Sequence, residues 1–300
     1  MSLFFKSPLD IEIRLDDDGH RQYTEIKSSV SGRVDKLPVY KDGESVKGTV
    51  TIRTREGRRV EHTGVKVQLM GSIEINTDGV STSDFLTMGK ELAVPGIIDH
   101  EVSYPFEFKN VEKQYESYRG KNAKLRYYVK VVVSRKSSQE LTREKELWVF
   151  QYLQPPPPTD DRALTSVKMD VGIEECLHIE FEYSKSRFNL KDVIHGRIYF
   201  QLVRLKIRHM ELRLVRREEV GTAPNQITDI ETLVRYEIMD GAPVKGETIP
   251  IRLYLSGFDL SPTYSDVNKR FSSRTFLSLV LIDEDARRYF KQSEIILYRD

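Results

Sequence analysis

Apolar residues recur at every second position along most of this 300-residue chain, and that period rules out most architectures at once. Ile11, Ile13 and Leu15 alternate in "DIEIRLD", Val50 and Ile52 in "KGTVTIR". Val65, Val67, Leu69, Ile73 and Ile75 alternate through "GVKVQLMGSIEI", and Leu125, Tyr127, Val129 and Val131 through "LRYYVKVVV". Side chains on a strand point to opposite faces in turn, so each segment reads as a strand with one face in a core. Asp18-Gly19, Asp42-Gly43, Asp78-Gly79 and Asp240-Gly241 punctuate the pattern as tight turns. Only "SDFLTMGKEL" (83–92) and, more weakly, "YSDVNKRF" (264–271) have helical spacing. The expected class is all-β.

The middle of the chain carries "QPPPPTDD", and four prolines cannot pair inside a sheet. The sequences on its two sides correspond. "DGESVKGTVTI" matches "LKDVIHGRIYF" with Gly48 opposite Gly196, and "EVSYPFEF" matches "ETIPIRLYL" with Pro105 opposite Pro250. "LRYYVKVVV" matches "RTFLSLVLI". The spacings are about 148, 145 and 149 residues. A near-constant spacing over three segments signals an internal duplication. The chain therefore reads as two similar β-sandwich lobes of the immunoglobulin-like or fibronectin-like kind. The first covers 1–153, a proline-rich linker 154–166, and the second 167–300.

Composition narrows the function more by exclusion than by assignment. A formal net charge of +1 gives no general attraction for nucleic acid. The single cysteine, Cys176, cannot form an internal disulfide, and no Asn-x-Ser/Thr sequon occurs; both favour the cytosol. No apolar run approaches the roughly 20 residues of a membrane span. The six histidines have no metal-ligand spacing, and neither a Gly-rich phosphate loop nor a zinc motif is present, so no cofactor or metal is expected. The nearest thing to an active site is "EECLHIEFEY", where Cys176 and His178 would share a strand face opposite Ile173, Leu177, Ile179 and Phe181. Alternate strand positions stand nearly 7 Å apart, too far for a direct hydrogen bond, so Cys176 reads as a small core hydrophobe rather than a nucleophile. The basic run "VRLKIRHMELRLVRRE" (203–218) reads as a solvent-facing strand whose cations guard a sheet edge. Paired acids such as Glu174-Glu175 read as solvated surface.

One stretch departs from these patterns. "YEIMDGAPVKGETIP" (236–250) puts the apolar pair Ile238 and Met239 just before Asp240-Gly241, where a hairpin shoulder would normally be polar. Such a pair is suited to burial against a partner, because a few apolar anchors dominate protein interfaces.

Several longer segments point the same way: "YKDGESVKGTV" (40–50), "KELAVPG" (90–96), "EKQYESYRGKNAKLRYYVKV" (112–131), "VGIEECLHIEFEYSKSRFNLKDVIHGRIYF" (171–200), "YEIMDGAPVKGETIPIRLYL" (236–255) and "RRYFKQSEIILYR" (287–299). Together they resemble the vacuolar protein sorting-associated protein 26 family, the arrestin-like subunit of the retromer coat, almost from end to end. The resemblance implies a bilobal arrestin-like fold and a non-enzymatic adaptor. It implies that the segment with Ile238, Met239, Asp240, Gly241, Pro243 and Lys245 docks on retromer's helical-solenoid scaffold subunit, vacuolar protein sorting 35. It implies that Val171, Tyr289 and Phe290 belong to a surface shared with a sorting nexin and cytosolic cargo tails, and that Asp42 contacts an adaptor from the first lobe. Membrane association would be indirect, through sorting nexins on the cytosolic face of endosomes. A competing class, arrestin-domain adaptors of ubiquitin ligases, usually displays Pro-Pro-x-Tyr, and the prolines here lack the tyrosine.

Overall fold

The computed structural model describes residues 7–16, 19–27, 34–55, 59–77, 79–136, 139–153, 166–222 and 224–300. Asp18, Asp78 and all of the expected linker but Ser166 lie outside them. The described chain is strand throughout, apart from turns, loops and one 3-10 turn at Leu255–Gly257. It divides into two compact units, 1–151 and 152–300.

In the first unit β1 (Leu9–Leu15), β4 (Val46–Thr54) and β9 (Val102–Phe108) form a small antiparallel sheet in the order β1-β4-β9. The larger sheet runs β2 (Tyr23–Lys27), β3 (Val34–Lys41), β12 (Leu141–Phe150), β11 (Ala123–Ser134), β6 (Gly64–Asn76), β7 (Val80–Ala93), with β10 (Tyr118–Arg119) also on β11. A ribbon of β5 (Val60–His62) and β8 (Gly96–Ile98) stands apart. Alternation does what the sequence anticipates: along β1 every odd residue is buried and every even one exposed. Val50, Ile52, Val65, Val67, Leu69, Ile73, Leu125, Val129 and Val131 all lie in the interior.

The second unit repeats the plan. Its small sheet is β13 (Val167–Ile173), β14 (Leu177–Tyr183), β16 (Val193–Val203), β19 (Thr248–Tyr254). Its large sheet is β15 (Arg187–Asn189), β22 (Arg288–Tyr298), β21 (Phe271–Asp283), β17 (Ile207–Val220), β18 (Ile227–Asp240), with β20 (Tyr264–Val267) on β21. Even the rare parallel pairing recurs, Val39 beside Trp148 in the first unit and Phe188 beside Leu297 in the second. Gly48 and Gly196 occupy equivalent ladder positions, opposite Leu15 and Tyr183. One difference stands out. β13 covers the outer edge of β14, whereas the outer edge of β1 carries no strand among the described residues.

Three local expectations are corrected. Residues 83–92 belong to β7, not to a helix; the twelve-rung ladder with β6 outweighs local helix propensity. Phe85 explains the choice, because it packs over Gly71 and meets the rings of Tyr115 and Tyr127 edge-on at 5.4 and 5.3 Å. Residues 264–271 form β20 and a tight turn in which Asp266, Asn268 and Lys269 all have positive φ. The basic stretch 203–218 contains β17, which is an interior strand between β18 and β21 rather than an edge. Its Arg213 is buried and bonded to Glu211, and Arg216 pairs with Glu231.

Candidate partner-binding surfaces

Ile238 and Met239 sit in the last turnless stretch of β18, so the shoulder of a tight hairpin is not where the fold puts them. Met210 stands opposite Met239 and Glu211 opposite Glu237, which makes Ile238 the extra residue of a β-bulge. A bulge breaks strict alternation. It lets two successive side chains lean the same way, and both Ile238 and Met239 pack, partly buried, against their own unit's core. The pair is thus less freely displayed than the sequence suggests. Asp240-Gly241 closes no hairpin either. Gly241, at φ +116°, donates its N–H to Arg208 O at 2.8 Å and starts a seven-residue crossing from the large sheet to β19 in the small one.

That crossing, 241–247, is braced. Gly246 N–H donates to Phe200 O at 2.7 Å, Phe200 N–H to Glu247 O at 3.0 Å, and Val244 N–H to the Glu247 carboxylate at 3.0 Å. Pro243 is buried, while Asp240 and Lys245 are exposed. The large apolar side chain that the crossing does present is Val244, 67% exposed. Sequence reasoning passed over Val244, because nothing in a Pro-Val-Lys triplet reveals which member faces out.

The residues expected on a second surface separate. Phe290 is 56% exposed, on the face of β22 away from the core, with the Arg288 guanidinium 5.6 Å from its ring centre. Tyr289 faces the other way, against the core, and its hydroxyl donates to Asp283 at 2.9 Å, a bond that pushes the phenol's pKa up. Val171 is 6% exposed and part of the core, so its side chain cannot itself offer a surface. The expected result for Phe290→Ala is an unchanged melting temperature, because the ring contributes little to the interior. A drop of about 2–4 °C or more, the signature of ~1 kcal/mol in a domain of this size, would show the ring to be structural.

Asp42 lies at the β3–β4 turn, where its carboxylate accepts the Lys113 N–H at 2.6 Å. Lys113 is 0% exposed, and its Nζ donates to three backbone carbonyls, Lys41 at 3.0 Å, Glu44 at 2.5 Å and Val111 at 3.1 Å. Burial lowers the ammonium pKa to about 8, opposed by nearby Glu44 and Asp42. Arg21 braces the same turn, with Nη1 2.6 Å from Glu44 and its guanidinium 3.8 Å over the Tyr40 ring. Asp42 is therefore held on a turn locked from beneath. No pattern in the sequence marks Lys113, since lysine in a polar run is normally solvated.

Cys176 is exposed, contrary to the core role expected for it. It closes the turn between β13 and β14, where its N–H donates to Ile173 O at 3.1 Å and its carbonyl accepts the Arg204 N–H at 2.7 Å. His178 turns to Asp170 at 3.7 Å. Among the described residues no three His, Cys, Asp or Glu side chains form a metal-binding group.

Two units, each of β-sheets built on the same strand plan, define a two-lobed all-β protein of the arrestin-like class. The family model described as "Vacuolar protein sorting-associated protein 26" matches residues 5–286, and this chain belongs to that family. Relatives of that name include one from Schizosaccharomyces pombe, 51% identical over 100% of this chain and 98% of its own length. Another, from Dictyostelium discoideum, is 45% identical over 98% and 83%. Vacuolar protein sorting-associated protein 26B-B of Xenopus laevis is 48% identical over 100% and 87%. The family's role is vacuolar protein sorting, and no helix among the described residues is long and apolar enough to cross a membrane.

Proposed function

We propose that this chain is a non-enzymatic adaptor subunit of retromer. It binds the helical-solenoid scaffold subunit, vacuolar protein sorting 35, and with sorting nexins captures cytosolic tails of membrane cargo for retrograde transport. It works in the cytoplasm, peripherally on endosomes. What carries the reading is family membership along nearly the whole chain. The 1–153, 154–166 and 167–300 division is the frame in which the two lobes act.

The scaffold surface is the end of β18 and the braced crossing: Ile238, Met239, Asp240, Gly241, Val244 and Lys245, with Pro243 beneath. Ile238 and Met239 keep only part of their side chains for a partner, so Val244 becomes the cleanest probe. Val244→Asp should weaken scaffold binding about ten- to a hundredfold, about 1.4–3 kcal/mol, by placing a charge in a dry contact. Its melting temperature should not move. Ile238→Asp with Met239→Asn should weaken binding further and also lower the melting temperature, since both contact the core. Calorimetry that finds both variants binding the purified scaffold as tightly as the parent would place the docking surface elsewhere.

Phe290, with Tyr289 shaping the strand beneath it, serves the sorting-nexin and cargo surface, and Val171 acts there only through the position of β13. Asp42 serves an N-terminal adaptor contact, aimed by Lys113.

A further inference from the structure

The duplicated sheets differ in charge at one matching position. In the first unit Lys47, one residue before Gly48, stands opposite Glu107. In the second His195, one residue before Gly196, stands opposite Arg252. An opposite-charge pair is replaced by two neighbours with no acid between them, which stabilise each other less. Alternation puts both on the outer face of the small sheet. Ile194, Ile198, Ile251 and Leu253 are buried on the other face, whereas His195, Arg197, Arg252 and Tyr254 are exposed.

The acids of this face lie on β13 and β14, and they are engaged. Glu180 lies 3.1 Å from Lys168, Asp170 3.7 Å from His178, and Glu182 3.6 Å from Arg197. The half-face of β16 and β19 is different: between His195 and Tyr199, and between Thr248 and Tyr254, no outward residue is acidic. Beside it opens a pocket of about 300 Å³ lined by Glu182, Ser184, His195 and Arg197. The same half-face runs into the braced crossing. Tyr199 stands opposite Thr248, the residue after the crossing ends, and Phe200 is bonded to Gly246 and Glu247.

We propose that the scaffold surface continues from the crossing along this half-face, where His195, Arg197 and Arg252 receive carboxylates of an acidic partner helix. This extends the docking surface proposed above and rests on it. The spacing fits: helical side chains one turn apart are about 5–6 Å from each other, close to the separation of directly opposed strand positions such as His195 and Arg252. Arginine's planar fork also meets a carboxylate through two bonds. An anionic membrane fits less well, because its recognition takes clusters of about 4–8 cations and Arg197 is already shared with Glu182.

The test measures association and dissociation rates of the full chain with the purified scaffold over a range of salt. Arg252→Glu should slow association about tenfold at low salt and flatten its salt dependence, because exposed interface charges act on encounter. Its melting temperature should hold, since the change breaks no ion pair among the described residues. Should the reversal disturb folding, Arg252→Gln reads the same direction. Val244→Asp should instead speed dissociation. Lys90→Glu makes the same change in net charge at an exposed site of the first unit and should associate as the parent does. Parental association by Arg252→Glu at every salt, with Val244→Asp impaired, overturns the extension and leaves the docking surface standing. Parental binding by Val244→Asp and by the Ile238, Met239 double variant as well would remove the docking surface itself. Equal slowing by Lys90→Glu would reveal a general field rather than a site and overturns the proposal. So does binding to phosphatidylserine vesicles that Arg252→Glu abolishes while scaffold association is unchanged, which would give these cations to a membrane.

Discussion

Gly48→Val is expected to cost the first unit about 4 kcal/mol or more, among the largest effects of any single change. A Cβ on Gly48 would stand 2.3 Å from the carbonyl oxygen of Arg14 and 3.0 Å from Cα of Leu15. Both are backbone atoms of the paired strand, so no side-chain rotation relieves the contact and β1 must move off β4. The duplicated position repeats the problem, because a Cβ on Gly196 would lie 2.7 Å from Glu182 O and 2.9 Å from the Phe181 ring. Gly196→Val should therefore destabilise the second unit comparably. Gly89→Ala is the control: its Cβ would find its nearest atom at 4.0 Å, and the change should be neutral or stabilise by about 0.4–1 kcal/mol. Urea unfolding is the measurement, with each unit followed by its own probe, since two units need not melt as one. A loss below about 1 kcal/mol for Gly48→Val would show that the two strands can part without penalty.

Lys113→Met should cost about 3 kcal/mol near neutral pH. Three carbonyls lose their donor, at roughly 1–3 kcal/mol each, and the gain from no longer dehydrating an ammonium offsets about 3 kcal/mol of that. The pH dependence is the sharper signature. The folded pKa is lowered from 10.5 to about 8. Between those values the unfolded chain holds a proton that the folded chain has released, so stability rises with pH across that window. Below about 8 both states hold the proton and the dependence levels off. The rise should reach up to about 3 kcal/mol in the parent and vanish in Lys113→Met. A parent–variant difference that stays flat from pH 8 to 10.5 would mean that Lys113 reaches water. Asp42 should keep its bond to the main-chain N–H of residue 113, while the Lys41 and Glu44 carbonyls of the turn lose theirs.

The sequence by itself determined the class of strand, the duplication and the glycines that the duplication shares. Each follows from local rules: a period of two has one structural meaning, and a residue that must lack a Cβ stays glycine in both copies. Tertiary structure alone decided the rest. It made a strand of residues 83–92, since the ladder bonds to β6 and the Phe85 ring over Gly71 are cross-strand contacts that helical spacing within the segment does not reveal. It drew Ile238 and Met239 half into their own core through a bulge that depends on the register with β17, and left Val244 outward instead. It buried Val171, exposed Cys176 and gave Lys113 three carbonyls from two separate loops. Even the edge of β1 that pairs with no strand among the described residues is a tertiary fact. A strand's own residues specify which face is apolar, but whether its backbone finds a partner depends on what the rest of the chain brings alongside.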